Sequence, residues 1–481
     1  MLANTTGAKN TAVGKDALDA NTTAHDNTAI GVGALGVMNG GNGKNVAVGN
    51  YSGDAISTGS DNALLGYASG GAITTGSNNN FFGTYAGEQT TTGSYNVSMG
   101  YEALEENTTG SSNVALGHKT LANNTTSYMT AVGGMALEAN TTGSGNTGLG
   151  FRTLYTNTTG SSCVAVGYDA LYTNNGSNNV AVGMNALYSN TTGGQNTAIG
   201  YEALKDSTGG NNTAVGKEAL TNNTSADYNT SVGSGSLKTN TTGHSNTACG
   251  YGALEANTDG DGNVAIGFEA LHDASTANYN NAIGIGCMDK VTTGGYNNCM
   301  GADAGNGITT GTNNTCLGHD AGRAGSPSGN ITTGDNNVVL GNNSVANLYC
   351  ADTSISSSDA RDKTDVEDFK YGLSWITELR PVTYRWDRRT WYGDDENPKG
   401  TPDGSKKRDR IHIGFLAQEA IEVEKKHGYA DKKDNMLIVN QDEDENDPSY
   451  GYKYERLVPV LVNAIKELSA EVEQLKSQIN N

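Results

Sequence analysis

Asn179-Val180-Ala181-Val182-Gly183-Met184-Asn185-Ala186-Leu187-Tyr188-Ser189-Asn190-Thr191-Thr192-Gly193-Gly194-Gln195 is one copy of a phrase that fills most of this chain. It restarts at once as Asn196-Thr197-Ala198-Ile199-Gly200. The glycine of the phrase recurs twenty times, from Gly14 to Gly341. Fourteen of the nineteen intervals are 17 residues; the others are 16 or 18, except a final 23. A fixed short period is the mark of a solenoid, in which each unit buries its apolar residues only against its neighbours.

The columns of the repeat carry physical meaning. The residue before the glycine is apolar in every copy, as in Val13, Phe82 and Leu340. The residue three after it is small in every copy, as in Ala17, Thr153 and Cys287. The next is usually Leu, but Gly in a subset: Gly53, Gly70, Gly87, Gly305 and Gly322. Eighteen copies place Asn four residues before the glycine. Seventeen residues suit one coil of a β-solenoid or β-roll, with two short strands and two turns. Asn-Thr-Ala-Val supplies one strand and the Ala-Leu region a second, irregular one. Gly and Asn provide the positive φ that turns require. Stacking sets Asn on Asn, so that side-chain amides form ladders. A β-roll this thin lacks volume for a private core, and both faces of its strand carry apolar residues. The expectation is a homotrimeric rod of about twenty coils, roughly 95 Å long at ~4.8 Å per coil.

Composition narrows the function. The 481 residues include 66 Gly and only 6 Pro, without a Gly-X-Y period, which excludes collagen and argues against a disordered linker. A net charge of −21 argues against nucleic acid and anionic lipid as partners. No segment has the length and apolarity of a membrane span, so membrane insertion is not expected. No basic-then-apolar leader opens the sequence, which argues against Sec-dependent secretion. The sequence starts inside a repeat, which leaves room for an attachment domain before it. The six cysteines form no CxxC pair and read as buried thiols. The Asn-x-Thr triplets read as turn chemistry rather than glycosylation sites, and Asp259-Gly260-Asp261-Gly262 as a solvated turn rather than a calcium loop. No metal or cofactor is expected. The Thr columns raise an ice-binding face, a reading that the domain after the repeats does not fit.

The phrase resembles the head repeats of trimeric autotransporter adhesins and repeats of bacteriophage tail fibres. Past the repeats the composition changes, and all three tryptophans lie there. Ser358-Asp359-Ala360-Arg361-Asp362-Lys363 is followed by Leu-Arg-Pro-Val-Thr-Tyr-Arg-Trp (379–386), Ile-Gly-Phe-Leu-Ala-Gln-Glu (413–419) and Tyr-Glu-Arg-Leu-Val-Pro-Val-Leu-Val-Asn-Ala-Ile-Lys-Glu-Leu (454–468). These four motifs in order resemble the endosialidase-type C-terminal intramolecular chaperone, a self-cleaving serine peptidase domain of phage tail fibres and tailspikes. The resemblance implies a domain over 358–481 that trimerises, guides folding of the upstream fibre and cuts itself away between Ser357 and Ser358. It places Ser358 as nucleophile and Lys363 as general base, a Ser-Lys dyad acting once and on no external substrate. Asp359 and Arg361 fix the loop, and Glu419 supports the dyad.

The expected organisation is a rod over 1–344, a last strand and linker over 345–357, and a small α+β chaperone over 358–481. The chaperone ends in a coiled-coil helix over 455–481. Leu461, Ile465, Leu468, Val472, Leu475 and Ile479 recur at heptad spacing and read as a trimerisation seam; packing of this helix on its own domain is the alternative. The functional expectation is a host-binding tail fibre in the virion, assembled in the host cytoplasm. Its partners would be tail or baseplate proteins and a cell-surface glycan or protein. A bacterial surface adhesin with the same chaperone is the alternative. A polysaccharide-degrading tailspike is a third, disfavoured because the repeats offer no converging carboxylate pair.

Overall fold

The computed structural model describes residues 3–345, 366–393, 399–441 and 448–480. Two compact units divide the chain, Met1–Ala346 and Asn347–Asn481.

The first unit is a mainly-β solenoid. Each repeat contributes one strand of three residues, from β1 (Thr11–Val13) through β12 (Thr197–Ile199) to β20 (Val338–Leu340). Neighbouring strands pair in parallel and in register, Thr197 with Thr213, Ala198 with Ala214, Ile199 with Val215. The twenty strands form one sheet.

The expected second strand is absent from the described coils. The Ala-Leu segment is a run of turns in which alternate residues take positive φ, as at Glu202 (55°) and Leu204 (50°). A leucine in this region costs roughly 1–2 kcal/mol of strain. Stacking fixes it nonetheless: Leu187 N–H donates to Ala203 O (3.0 Å), and Leu204 N–H to Ala219 O (3.0 Å). From Gly14 to Gly301 the glycines that end the strands lie at φ between 128° and 149°. At Gly200 (141°) an added Cβ would meet the Gly216 carbonyl of the next coil. That contact, with the φ, explains why this column is always Gly.

Each chain has its own core, contrary to the expectation that a single roll lacks the volume. The central strand residue points inward, and Ala198, Leu204, Ala214 and Leu220 are fully buried. The Asn ladders fill the rest. Asn62 Nδ2 donates to Asn45 Oδ1 (3.0 Å) and Gly76 O (3.0 Å), while its Oδ1 accepts from Asn79 N (3.0 Å) and Nδ2 (3.1 Å). A second ladder begins the Asn-Thr-Thr-Gly turn: Asn157 Nδ2 to Asn140 Oδ1 is 3.0 Å, and Asn174 Nδ2 to Asn157 Oδ1 is 3.1 Å. Buried amides satisfied this way are stabilising; orphaned ones would cost about 1–3 kcal/mol each.

Of the cysteines, Cys163, Cys287, Cys299 and Cys316 are buried as expected, and burial pushes the Cys287 thiol up to about 12. Cys249 is exposed. It is the third residue of its strand (Thr247–Cys249), and that position faces outward.

The second unit is a small α+β domain. It contains α1 (Leu373–Glu378), β21 (Val382–Tyr384), β22 (His412–Gly414), α2 (Ala417–Lys426), β23 (Val439–Gln441), β24 (Tyr450–Tyr452) and α3 (Leu457–Ile479). Two antiparallel hairpin-like pairs form, β21 with β22 and β23 with β24. Trp375 is the centre of the core, packed with Ala420, Ile421, Val439, Leu457 and Val460.

Candidate functional site

Three of the four motifs meet in the second unit. The 379–386 motif supplies β21 and the 413–419 motif supplies β22, paired Val382 with Gly414 and Tyr384 with His412. His412 stacks on the Tyr384 ring (5.6 Å between centroids). The 454–468 motif brings Tyr454, whose hydroxyl accepts the Phe415 N–H (3.2 Å). A Cβ on Gly414 would strike that same hydroxyl, so the glycine permits the tyrosine's approach. Arg380, from the first of these motifs, forms a two-point ion pair with Glu419 of the second; Arg380 Nε to Glu419 Oε2 is 3.1 Å. Both side chains are exposed, so the pair aligns β21 with the start of α2 more than it stabilises the fold.

The dyad residues Ser358 and Lys363, with Ser357, Asp359 and Arg361, lie outside the described residues. Glu419, expected from the sequence to support the dyad, has its carboxylate engaged by Arg380.

Two features of the domain escaped the sequence reading. Glu424 is fully buried and accepts the backbone N–H groups of Leu437 (2.8 Å), Ile438 (2.7 Å) and Val439 (3.0 Å). It thereby fastens the start of β23 to α2 through charge-assisted bonds. A glutamate beside the apolar Val423, on the inward face of α2, was the available signal. His427 stacks flat on Trp375 (5.3 Å, 6°) at the end of α2.

Helix α3 has two apolar faces. Leu457, Val460 and Ala464 are buried against the domain. Asn463 Nδ2 donates to Phe369 O (2.6 Å), and Glu467 Oε2 accepts the Leu373 N–H (2.6 Å) at the start of α1. Leu461, Ile465, Leu468, Val472, Leu475 and Ile479 form the other face, and all are exposed, Ile465 at 67% and Ile479 at 81%. The seam therefore does not pack on its own domain.

Elsewhere, ligand-type atoms converge at His272, Asp273 and Asp289, and at Asp303, His319 and Asp320. In both groups the histidine meets the aspartate next to it in the same coil, with His272 Nδ1 2.8 Å from Asp273 and His319 Nδ1 3.1 Å from Asp320. In the Asp259–Gly262 turn, Asp261 accepts the His244 N–H (2.6 Å) of the preceding coil, which accounts for the acid without a cation.

The chain thus carries a β-solenoid unit and a small α+β unit whose last helix bears an exposed heptad stripe. Residues 358–429 match the family described as chaperone of endosialidase. The match starts at the motif serine and ends just past α2, so α3 and its seam lie beyond it. No curated protein and no solved structure matches the chain.

Proposed function

We propose that this chain is a trimeric host-binding fibre of the phage tail type, whose C-terminal domain directs assembly and then detaches by cutting the Ser357–Ser358 bond. The chaperone-of-endosialidase match over 358–429 carries the reading, because it begins at the serine that the cut would free. The exposed seam of α3 supports association of copies at the C-terminal end. The rod would persist in the virion, with its turns as the receptor-facing surface.

In the proposed cleavage, the Ser358 hydroxyl attacks the Ser357 carbonyl carbon. Its proton passes to the neutral amine of Lys363 and from there to the departing Ser358 nitrogen. The Ser357 acyl group is then held as an ester on Ser358 Oγ. Water hydrolyses this ester, leaving a carboxylate on Ser357 and restoring the hydroxyl. A lysine performs this role only when unprotonated, which burial in the assembled domain would promote. Cleavage would then report completed assembly.

Denaturing electrophoresis tests the proposal. The wild-type chain should give fragments of 357 and 124 residues, and Ser358→Ala should remain whole. Lys363→Arg should also stay whole, because guanidinium does not surrender its proton. An uncut wild type overturns the peptidase role; a wild type that is monomeric in solution overturns the trimer.

A further inference from the structure

We infer that the outer face of the twenty-stranded sheet is a self-recognition surface, on which further copies of this chain pack side by side and in register. The inference deepens the trimer reading above and rests on it.

The first and third residues of every strand point out of the coil, which gives forty outward positions. None is Asp, Glu, Lys, Arg or His, in a chain with 51 acidic and 30 basic residues. The first position is mostly Thr or Val, and the third is apolar in all twenty strands. Charge is not scarce nearby. Two residues beyond the glycine stand Glu102, Lys119, Arg152, Asp169 and Glu218. The exclusion is thus confined to the sheet face.

This apolar column is not needed for the core, which the inward strand residues, the leucines and the asparagine ladders already fill. It is left in water: Val13 is 57% exposed and Met300 51%. Twenty strands at about 4.8 Å make a strip about 95 Å long and, at two outward residues per strand, about 10 Å wide. Its area is on the order of 900 Å². That total, with its Thr and Asn rows included, matches the roughly 800 Å² per partner that a stable interface buries.

Two observations select another copy as the occupant. A ridge at every strand spacing is matched row by row only by a partner with the same axial repeat. Chains of net charge −21 repel one another over most of their surface, and a charge-free strip is where like-charged copies approach at least cost. Packing in register also brings equivalent residues of each copy close to one another.

Cys249 makes this testable, since it is a natural thiol on the strip while the other described cysteines are buried. The test uses the full chain with Ser358→Ala to keep it whole and Cys350→Ser to remove the thiol after the repeats. A short bismaleimide added to the native protein should yield a covalent dimer on a denaturing gel, lost in Cys249→Ser. The double variant Ile199→Lys/Val232→Lys places charge on the strip without touching the core. It should reduce that crosslink at least tenfold, with the β-type circular dichroism unchanged. Tyr228→Lys, on an exposed turn, should leave the crosslink intact. A monomeric parent chain overturns both the trimer and this surface. An oligomeric parent that fails to crosslink through Cys249, or that crosslinks equally well in the double variant, overturns the surface alone and leaves association to α3.

Discussion

Gly200 shows how one position constrains a coil. Its φ of 141° is strained for any residue with a Cβ, and that Cβ would meet the carbonyl of Gly216. Gly200→Ala should therefore destabilise the rod by at least about 2 kcal/mol, read as a lower denaturant midpoint. An alanine variant as stable as the parent would show that the coil shifts to accept the methyl group. One loss from the first asparagine ladder is made good by neighbouring groups. At Cys163, which replaces Asn, the thiol donates to Gly176 O (3.3 Å), and Asn179 turns to Asn174 Oδ1 (3.0 Å) on the second ladder. Glu88 adds a pH dependence. Burial, then repulsion from Asp54 and Glu102, holds its carboxyl above the usual 4.5. The folded state thus prefers the protonated form. Its contribution is greatest below the ordinary value and is lost as pH rises through the raised one. Glu88→Gln should raise the thermal midpoint near pH 7 and give no gain well below pH 4. An equal gain at both pH values would assign the effect to something other than ionisation.

Within a coil, two columns trade volume. In four coils a larger strand centre goes with glycine at the leucine position: Leu64 with Gly70, Phe81 with Gly87, Cys299 with Gly305 and Cys316 with Gly322. A Cβ on Gly87 would enter the Phe81 ring, and one on Gly305 would strike the Cys299 sulfur. Leu104 occupies the same turn position at φ 59°, and Gly87 lies at 58°. Gly87→Leu therefore meets only the backbone strain that the other leucines also carry, and its particular obstacle is space. Alone it should cost about 1–3 kcal/mol through overpacking, and Phe81→Ala alone about 3–5 kcal/mol through a cavity. Together they recreate the usual Ala–Leu coil, so the double variant should be more stable than additivity predicts, by on the order of 2 kcal/mol. Additive losses in equilibrium unfolding would sink the idea that the columns compensate. This pairing was written in the sequence, where Gly at the leucine position stood out without its reason. The strand and its period were legible because Thr-Ala-Val before a glycine alternates as a strand does. The second strand was misread because Ala-Leu looks β-like or helical in any one-dimensional pattern, while leucines at positive φ exist only through contacts with adjacent coils. The private core was missed for a similar cause: buried asparagines count as polar in composition but act as filling once laddered. In the second unit the apolar stripe of α3 was legible from spacing alone, whereas Glu424 took its meaning from three amides at the start of β23.

At the scale of the molecule, sameness is both the strength of the rod and its hazard. Every strand is three residues long, and each coil meets its neighbour through nearly the same Asn, Ala and Gly contacts. A coil docked one repeat out of place would recover most of those contacts, so slipped arrangements lie close in energy to the native one. Such near-degeneracy is the condition for kinetic traps. The hazard grows if neighbouring copies must also match row by row, because a slip in one chain then offsets the others. Nucleation at one end resolves the ambiguity, since propagation from a fixed first coil leaves each later coil a single partner. The second unit is equipped to act as such a nucleus. It has a core around Trp375, a helix anchored by Glu467 and Asn463, and a seam free to join copies. If the proposed cut removes the helper once the register is set, the rod that remains would persist through slow unfolding. The order of events can be measured. Uncut Ser358→Ala protein, unfolded in denaturant and diluted, should recover its β-type circular dichroism and native mass in high yield. The rod of residues 1–357, purified after cleavage and treated alike, should recover poorly and aggregate, although before unfolding it is at least as resistant to heat. Equal recovery of the two would mean that the repeats find their own register, and the C-terminal unit would then need a role other than folding.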